Sequence, residues 1–373
     1  MEQKEYLNAI YDAIYLISCV VNDQTPDQDR IAKMNQAYLC QAAQKHMLTA
    51  IVVYALQSAG VINKDFQQAW AKSVRKNSAM EIEKELIFQE MEKEHIWYLP
   101  LKGTVIKDLY PSVGLRQMSD FDILFDKEYA RKVRDIFIKL GFKCEDFGEG
   151  VHDVYYKKPV SNFEMHTALF SQAVPIKIYD YYCDISRLLI KDEGNKYGYH
   201  FSNNDLYIYL TAHEYRHYID SGTGLRSLLD IYVFWQKYGS QMDTEYIASE
   251  TKKMGIYDFE HQNRSLALHL FGNGTLAEEE QEMLEYFIFS GTYGTLQNSV
   301  ENSVNKYSSK KDGRHSYVIK KIFMPLDLVK AYYPFYYRHK ILLPVLFLYR
   351  IGKALTVDLR KTKKTLNILK KLK

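Results

Sequence analysis

The segment SDFDIL sets Asp120 and Asp122 two residues apart inside QMSDFDILF, a stretch that alternates acidic with apolar residues. At a period of two, both carboxylates leave one face of a strand while Phe121 and Ile123 turn toward a core. Adjacent carboxylates repel each other unless a cation lies between them. Mg2+ answers that need, because it takes oxygen ligands and completes its octahedron with waters and phosphate oxygens. NFEMHTAL supplies a third acid in the same rhythm, with Glu164 and His166 on one face and Phe163 and Met165 on the other. An Asp-x-Asp pair alone is equally a common feature of a solvated strand face. The order of its neighbours sets this one apart: Gly103 ends a strand and opens a short helix, Arg116 follows, then the pair, then a strand with the third acid.

A second pattern points to different chemistry. His213, Glu214 and His217 in HEYRH match H-E-x-x-H, a spacing that puts two imidazoles one helical turn apart on zinc, with the glutamate as general base. That reading predicts a zinc-dependent hydrolase. The continuation YIDSGTG lacks the third histidine of the metzincins, and the next glutamate, Glu245, lies beyond a further predicted helix. His213 and His217 also continue the stripe of Leu206 and Leu210 at spacings of three and four, so they point inward. Hydrogen-bonded core or pocket histidines are the plainer interpretation.

Three runs of the chain must position these residues. From 1 to 95 apolar residues recur at helical spacing, as in Leu7, Ile10, Ile14 and Ile17. QAYLCQAAQKHMLTAIVVYALQSAG reads as one long buried helix stopped by Gly60, and another helix is predicted from near Ser78. From 96 to 175 the texture changes to strands in IWYLPLKG, QMSDFDILF, VHDVYYKK and NFEMHTALF. Between the second and third of these lies a helix with the stripe Val133, Ile136, Phe137 and Leu140, capped by Asp126 and closed at Gly141. From 176 to 373 the pattern is helical again. The expected fold class is α+β: a small mixed β-sheet core flanked by extensive helical regions.

Composition narrows the function classes. With 47% hydrophobic and 25% charged residues, the chain is neither disordered nor collagen-like and can bury a core. The 49 basic and 46 acidic residues are too balanced for a nucleic-acid reader working through bulk charge. Most of the 32 tyrosines read as packing residues with a wet edge. Charge is uneven at one end, where Lys353 to Lys373 holds eight basic residues and one acid. That tail suits nucleic-acid or membrane-surface contact, with a solvated, fraying end as the plainer alternative. Cys19, Cys40, Cys144 and Cys183 show no metal or redox spacing, so reduced thiols are expected. The first residues lack a signal-peptide pattern, and the longest apolar run, Ile341 to Tyr349, is too short for a bilayer. A cytoplasmic protein without a transmembrane segment is the expectation.

Taken together, the strand–Gly–helix turn, the Asp-x-Asp strand and the later acid-bearing strand resemble the polymerase-beta-type nucleotidyltransferase superfamily. More closely, YLPLKGTVIKDLYP, LRQMSDFDILF and FEMHTAL are similar to a bacterial group of uncharacterised nucleotidyltransferase-like proteins, the similarity spanning roughly residues 95 to 235. One departure is visible: the superfamily's first motif is usually Gly-Ser or Gly-Gly, and here it is Lys102-Gly103-Thr104. The resemblance implies two-metal transfer of a nucleoside monophosphate, AMP from ATP by family habit, to a hydroxyl or phosphate of an unknown small-molecule or protein acceptor. It assigns Mg2+ (or Mn2+) to Asp120, Asp122 and Glu164, with Glu164 also assisting as base. Lys102, Gly103, Thr104 and Arg116 would contact nucleotide phosphates, Arg116 having a salt bridge to Asp120 or Asp122 as its alternative. His166, His213 and His217 would line an acceptor pocket, with Asp230 or Arg226 orienting the histidines. A zinc hydrolase and a catalytically degenerate nucleotide-binding protein remain the alternatives.

Overall fold

The alternation in QMSDFDILF matures into the strand at the centre of the site. In the computed structural model, which describes residues 2–62, 67–148, 150–305 and 313–372, a five-stranded sheet is built from β1 (Tyr98–Leu101), β2 (Phe121–Phe125), β3 (Lys143–Asp146), β4 (His152–Lys157) and β5 (Ser161–His166). Its order is β1-β2-β5-β4-β3. β2 and β5 run parallel and the other neighbours antiparallel. Register decides what meets. Asp122 sits opposite Glu164 across β2 and β5, while Leu124 and His152 flank His166 in the next row.

Because strand side chains alternate, the opposite face carries Phe121, Ile123, Phe125, Phe163, Met165 and Tyr155. All of these are buried, in a core shared with Met80, Ile87 and Met91 of the helix Ala69–Lys93 and with Val133 and Phe137 of the helix Ala130–Lys139. Phe137 stacks on Tyr155 with ring centroids 4.2 Å apart. Each such ring contributes about 2–3 kcal/mol by leaving water. That core makes the strands a rigid floor for the polar face.

Leu99, Leu101 and Leu124 belong to a second, larger core. It joins the early helices Gln3–Val21, Gln36–Lys45 and Thr49–Ser58 to the later helices Leu225–Tyr238, Tyr257–Phe271 and Glu278–Ser290. Regions far apart in sequence are also tied by hydrogen bonds. Tyr6 donates its hydroxyl to the Ile288 carbonyl at 3.0 Å, and Tyr232 donates to Asn22 Oδ1 at 2.6 Å. The early and late helical regions therefore close on each other, and the helix Ala69–Lys93 leaves them to cover the sheet.

Two helix expectations change. The single helix read from 36 to 60 is broken into Gln36–Lys45 and Thr49–Ser58, with Met47 at φ +54. Tertiary partners hold the break: buried His46 accepts the Leu225 N–H at Nδ1 (3.1 Å), and its Nε2 lies 3.0 Å from the Tyr6 hydroxyl. The helix expected from Ser78 begins at Ala69, where Trp70 anchors it by donating Nε1–H to the Val113 carbonyl at 3.0 Å. The four cysteines are free, as expected. Among the described residues no helix is long and apolar enough to cross a membrane.

Candidate active site

β1 ends at Leu101, and the chain turns at once into the one-turn helix Gly103–Ile106. The turn places Lys102 at φ 48, ψ −127, a conformation that glycine adopts freely and that costs an L-residue about 1–3 kcal/mol. Thr104 fastens the turn to β2: its hydroxyl accepts the Asp122 N–H at 2.9 Å and donates to the Asp122 carbonyl at 3.3 Å. The Thr104 hydroxyl thus faces backbone. At Gly103 a side-chain carbon would collide with the Arg116 guanidinium and lie 2.8 Å from Met118 Cε. The arginine packed over Gly103 leaves no room for a side chain unless it shifts.

The strained Lys102 aims its ammonium at the acids. Lys102 Nζ lies 2.7 Å from Asp122 Oδ1, with the two side chains 16% and 7% exposed. His166 Nε2 reaches the same oxygen at 2.8 Å and lies 3.7 Å from Glu164 Oε2. Burial pushes the Asp122 carboxyl up, but Lys102 and His166 together hold it well below the usual carboxylate range. Glu164 goes the other way: burial, then the charges of Asp122 and Asp120, push it up to about 7. Asp120 is raised by burial and by Asp122, against the pull of Lys102 and Arg226. This is the division expected when three acids share one cation: one is ionised and anchored, and the others resist ionisation.

A cavity of about 390 Å³ opens over this face, a size within the range of small-ligand sites. Lys102, Asp120, Asp122, Glu164 and His166 line it from the sheet, and His213, His217 and Arg226 line it from the helices Asn203–Asp220 and Leu225–Tyr238. The rings of His213 and His217 meet edge-on with centroids 4.7 Å apart. Burial, then the neighbouring Lys102, lowers both His166 and His213, the former to about 4. His217 also falls to about 4 through burial and Arg216. These imidazoles resist protonation near pH 7 and so can bind a cation without repelling it.

Glu214 lines the same cavity, where it is held by a neighbour other than the histidines. It accepts a hydrogen bond from Asn263 Nδ2 at 2.8 Å, and burial pushes it up to about 7. Among the described residues, the possible metal ligands that gather in a three-atom group within 4.8 Å of one another are His152, Glu164 and His166. His213 and His217 are outside that group, so the zinc reading of HEYRH finds no third ligand. The expected set of Asp120, Asp122 and Glu164 shares only Glu164 with it. His152 escaped sequence reasoning because nothing short of the β4–β5 register, which sets it opposite His166, could bring it to the acids.

Arg116 pairs with neither Asp120 nor Asp122. It donates Nε–H to Asp230 Oδ1 and Nη2–H to Asp230 Oδ2, both at 2.7 Å, and Tyr110 donates its hydroxyl to the same Oδ1 at 2.7 Å. Asp230 is thereby occupied with Arg116 and Tyr110. Arg226, expected only as a partner for the histidines, has Nη1 on the Gln117 carbonyl at 3.1 Å and on Met47 Sδ at 3.2 Å. Its guanidinium faces the cavity near Asp120 with carbonyl and sulfur contacts in place of a carboxylate.

Residues 32–272, well over half of the chain, match the model of a family described as uncharacterised nucleotidyltransferase. The match takes in both walls of the cavity. No curated protein and no solved structure matches the chain.

Proposed function

The chain belongs to the uncharacterised nucleotidyltransferase family, and from that premise we propose that the cavity moves a nucleoside monophosphate, AMP from ATP, onto a hydroxyl or phosphate of an acceptor. The observation that carries this reading is the placement of Asp122 and Glu164 side by side on parallel strands, with Glu164 poised at about 7. Three carboxylates around one ammonium leave an excess of negative charge, and their hard oxygens fit Mg2+ or Mn2+. Asp120, Asp122 and Glu164 would hold the ions, with His152 and His166 as further donors. Bound ions supply neutralisation of the nucleotide phosphates.

The chain's own groups account for the rest of the chemistry. Glu164 accepts the proton of the acceptor hydroxyl as that oxygen bonds to the α-phosphorus and the bond to pyrophosphate breaks. Lys102 keeps Asp122 ionised. Arg226 contacts the phosphates as a planar, permanently charged clamp, the task the resemblance assigns to Arg116. Arg116 instead packs over Gly103 and shapes the turn. His213 and His217, neutral and half-buried, hydrogen-bond the acceptor.

Incubating the purified chain with labelled nucleoside triphosphates, Mg2+ and a cell extract tests the proposal. Label is expected in an acceptor fraction and is expected to be lost in Asp122→Asn. The Lys102–Asp122 contact favours one second reading, a nucleotide-binding protein without turnover. Nucleotide-dependent stabilisation with no label transferred by any triphosphate would establish that reading instead.

A further inference from the structure

Of the large apolar side chains exposed among the described residues, fifteen of twenty-four lie between Val318 and Leu366. In the helix Leu343–Leu355 they form a stripe, with Val345 54%, Leu348 70%, Tyr349 56% and Leu355 60% exposed. Their spacing of three, four and seven puts them on one face, and Leu346 alone in that helix is buried, on another side. Ile341, 91% exposed, and Val357, 78% exposed, extend the patch at both ends. A monomer that leaves such a face in water carries it for a partner.

Charge identifies the kind of partner. Residues 313 to 373 hold 15 of the 49 basic residues and 2 of the 46 acidic ones, leaving the remainder of the chain at a formal −10. Lys353, Arg360, Lys361, Lys363 and Lys364 are exposed at the end of the apolar helix and on the following helix Leu359–Lys371. A second copy of this surface would bring like charges together. Nucleic acid would meet the lysines and leave the aliphatic stripe wet. A bilayer with anionic headgroups satisfies both, with phosphates at the rim and hydrocarbon beneath. A helix of 13 residues is about 20 Å long, short of the roughly 30 Å hydrocarbon core, so it would lie along the interface. We infer that Leu343–Leu355, with the basic helix Leu359–Lys371, docks on an anionic lipid surface.

Co-sedimentation of the full chain with vesicles tests this independently of any activity. Phosphatidylcholine vesicles containing phosphatidylglycerol are expected to bind it, phosphatidylcholine alone only weakly, and added inorganic phosphate should not compete. High salt is expected to weaken binding. Neutralising Lys361, Lys363 and Lys364 as glutamines should weaken it about a hundredfold at low salt, at about fivefold per charge near an anionic surface. Leu348→Ser with Leu355→Ser and Val357→Ser should weaken it at least about tenfold at any salt. All six side chains are exposed, and circular dichroism checks that the variants fold; Leu348→Ser alone gives the same direction if the triple variant is poorly soluble. Equal binding to both vesicle types, no binding, tighter binding to polyuridylate, or a dimer abolished by the apolar triple variant would each overturn the inference.

Discussion

Removing the Lys102 ammonium tests the electrostatic core of the site. Its nitrogen and Asp122 Oδ1 are 2.7 Å apart and both side chains are largely buried. Breaking a buried pair by deleting one partner costs about 3–5 kcal/mol, because the survivor is left uncompensated. The two deletions are not equivalent here. Lys102→Met leaves Asp122 beside Asp120 and Glu164 with His166 as its remaining support, so the upper part of that range is expected. Asp122→Asn leaves the ammonium still attracted to Glu164 and Asp120, so a loss of about 2–3 kcal/mol is expected after that compensation. The double variant should then reveal a coupling energy of about 2 kcal/mol. Lys102→Gly should lose less than Lys102→Met by about 1–3 kcal/mol, the strain of a side chain at that backbone position. Urea unfolding followed by circular dichroism, near neutral pH in chelator, measures all four. Mg2+ should raise the midpoint more in Lys102→Met than in the parent, since the ammonium no longer occupies the oxygen. Additive single variants, or a Lys102→Met within about 0.5 kcal/mol of the parent, would refute the reasoning.

Four further outcomes follow from other parts of the structure. Glu214 has its pKa raised by burial to about 7, so its contribution to stability is full below the unfolded value and is lost as pH rises through 7. Glu214→Gln should therefore match the parent near pH 4 and exceed it by on the order of 3 kcal/mol at pH 8, in paired unfolding curves. Gly103→Ala forces a carbon against Arg116 and Met118. It should cost about 1–3 kcal/mol by overpacking, and a melting scan would register that as a lowered Tm. On the proposed function, Arg226→Ala should weaken ATP binding by about tenfold or more, the worth of a charge-assisted contact of 1.5–3 kcal/mol, in calorimetric titration with little change in Tm. Arg116→Ala should lower Tm, because it strands Asp230.

The polar face of the sheet was legible because alternation is local: Asp122 and Glu164 each sit between core residues whose apolar partners report the strand phase. Gly103 was legible as a strand-to-helix turn, though its reason, the arginine overhead, was not. What failed to show was long-range partnership. Arg116 finds Asp230 across 114 residues, and no spacing signals that choice between carboxylates. The break at Met47 is invisible for the same reason, since His46 is held by Leu225 and Tyr6 while no glycine or proline nearby interrupts the helical spacing. His152 lies on a strand whose pairing partner alone gives it meaning.

The shared core of early and late helices has a consequence for how the chain is made. The helix Gln3–Val21 buries Ile10, Leu16 and Ile17 against residues that extend to Ile288, and Tyr6 reaches that residue's carbonyl. A ribosome adding about 5–20 residues per second therefore completes the early helices roughly ten to fifty seconds before the late helices that close over them. During that interval the first helix packs on Gln36–Lys45 and Thr49–Ser58 while its surface toward Tyr257–Phe271 stays uncovered, and the sheet and the helix Ala69–Lys93 already hold everything their own core requires. The nascent protein should thus acquire the floor of its cavity before the roof.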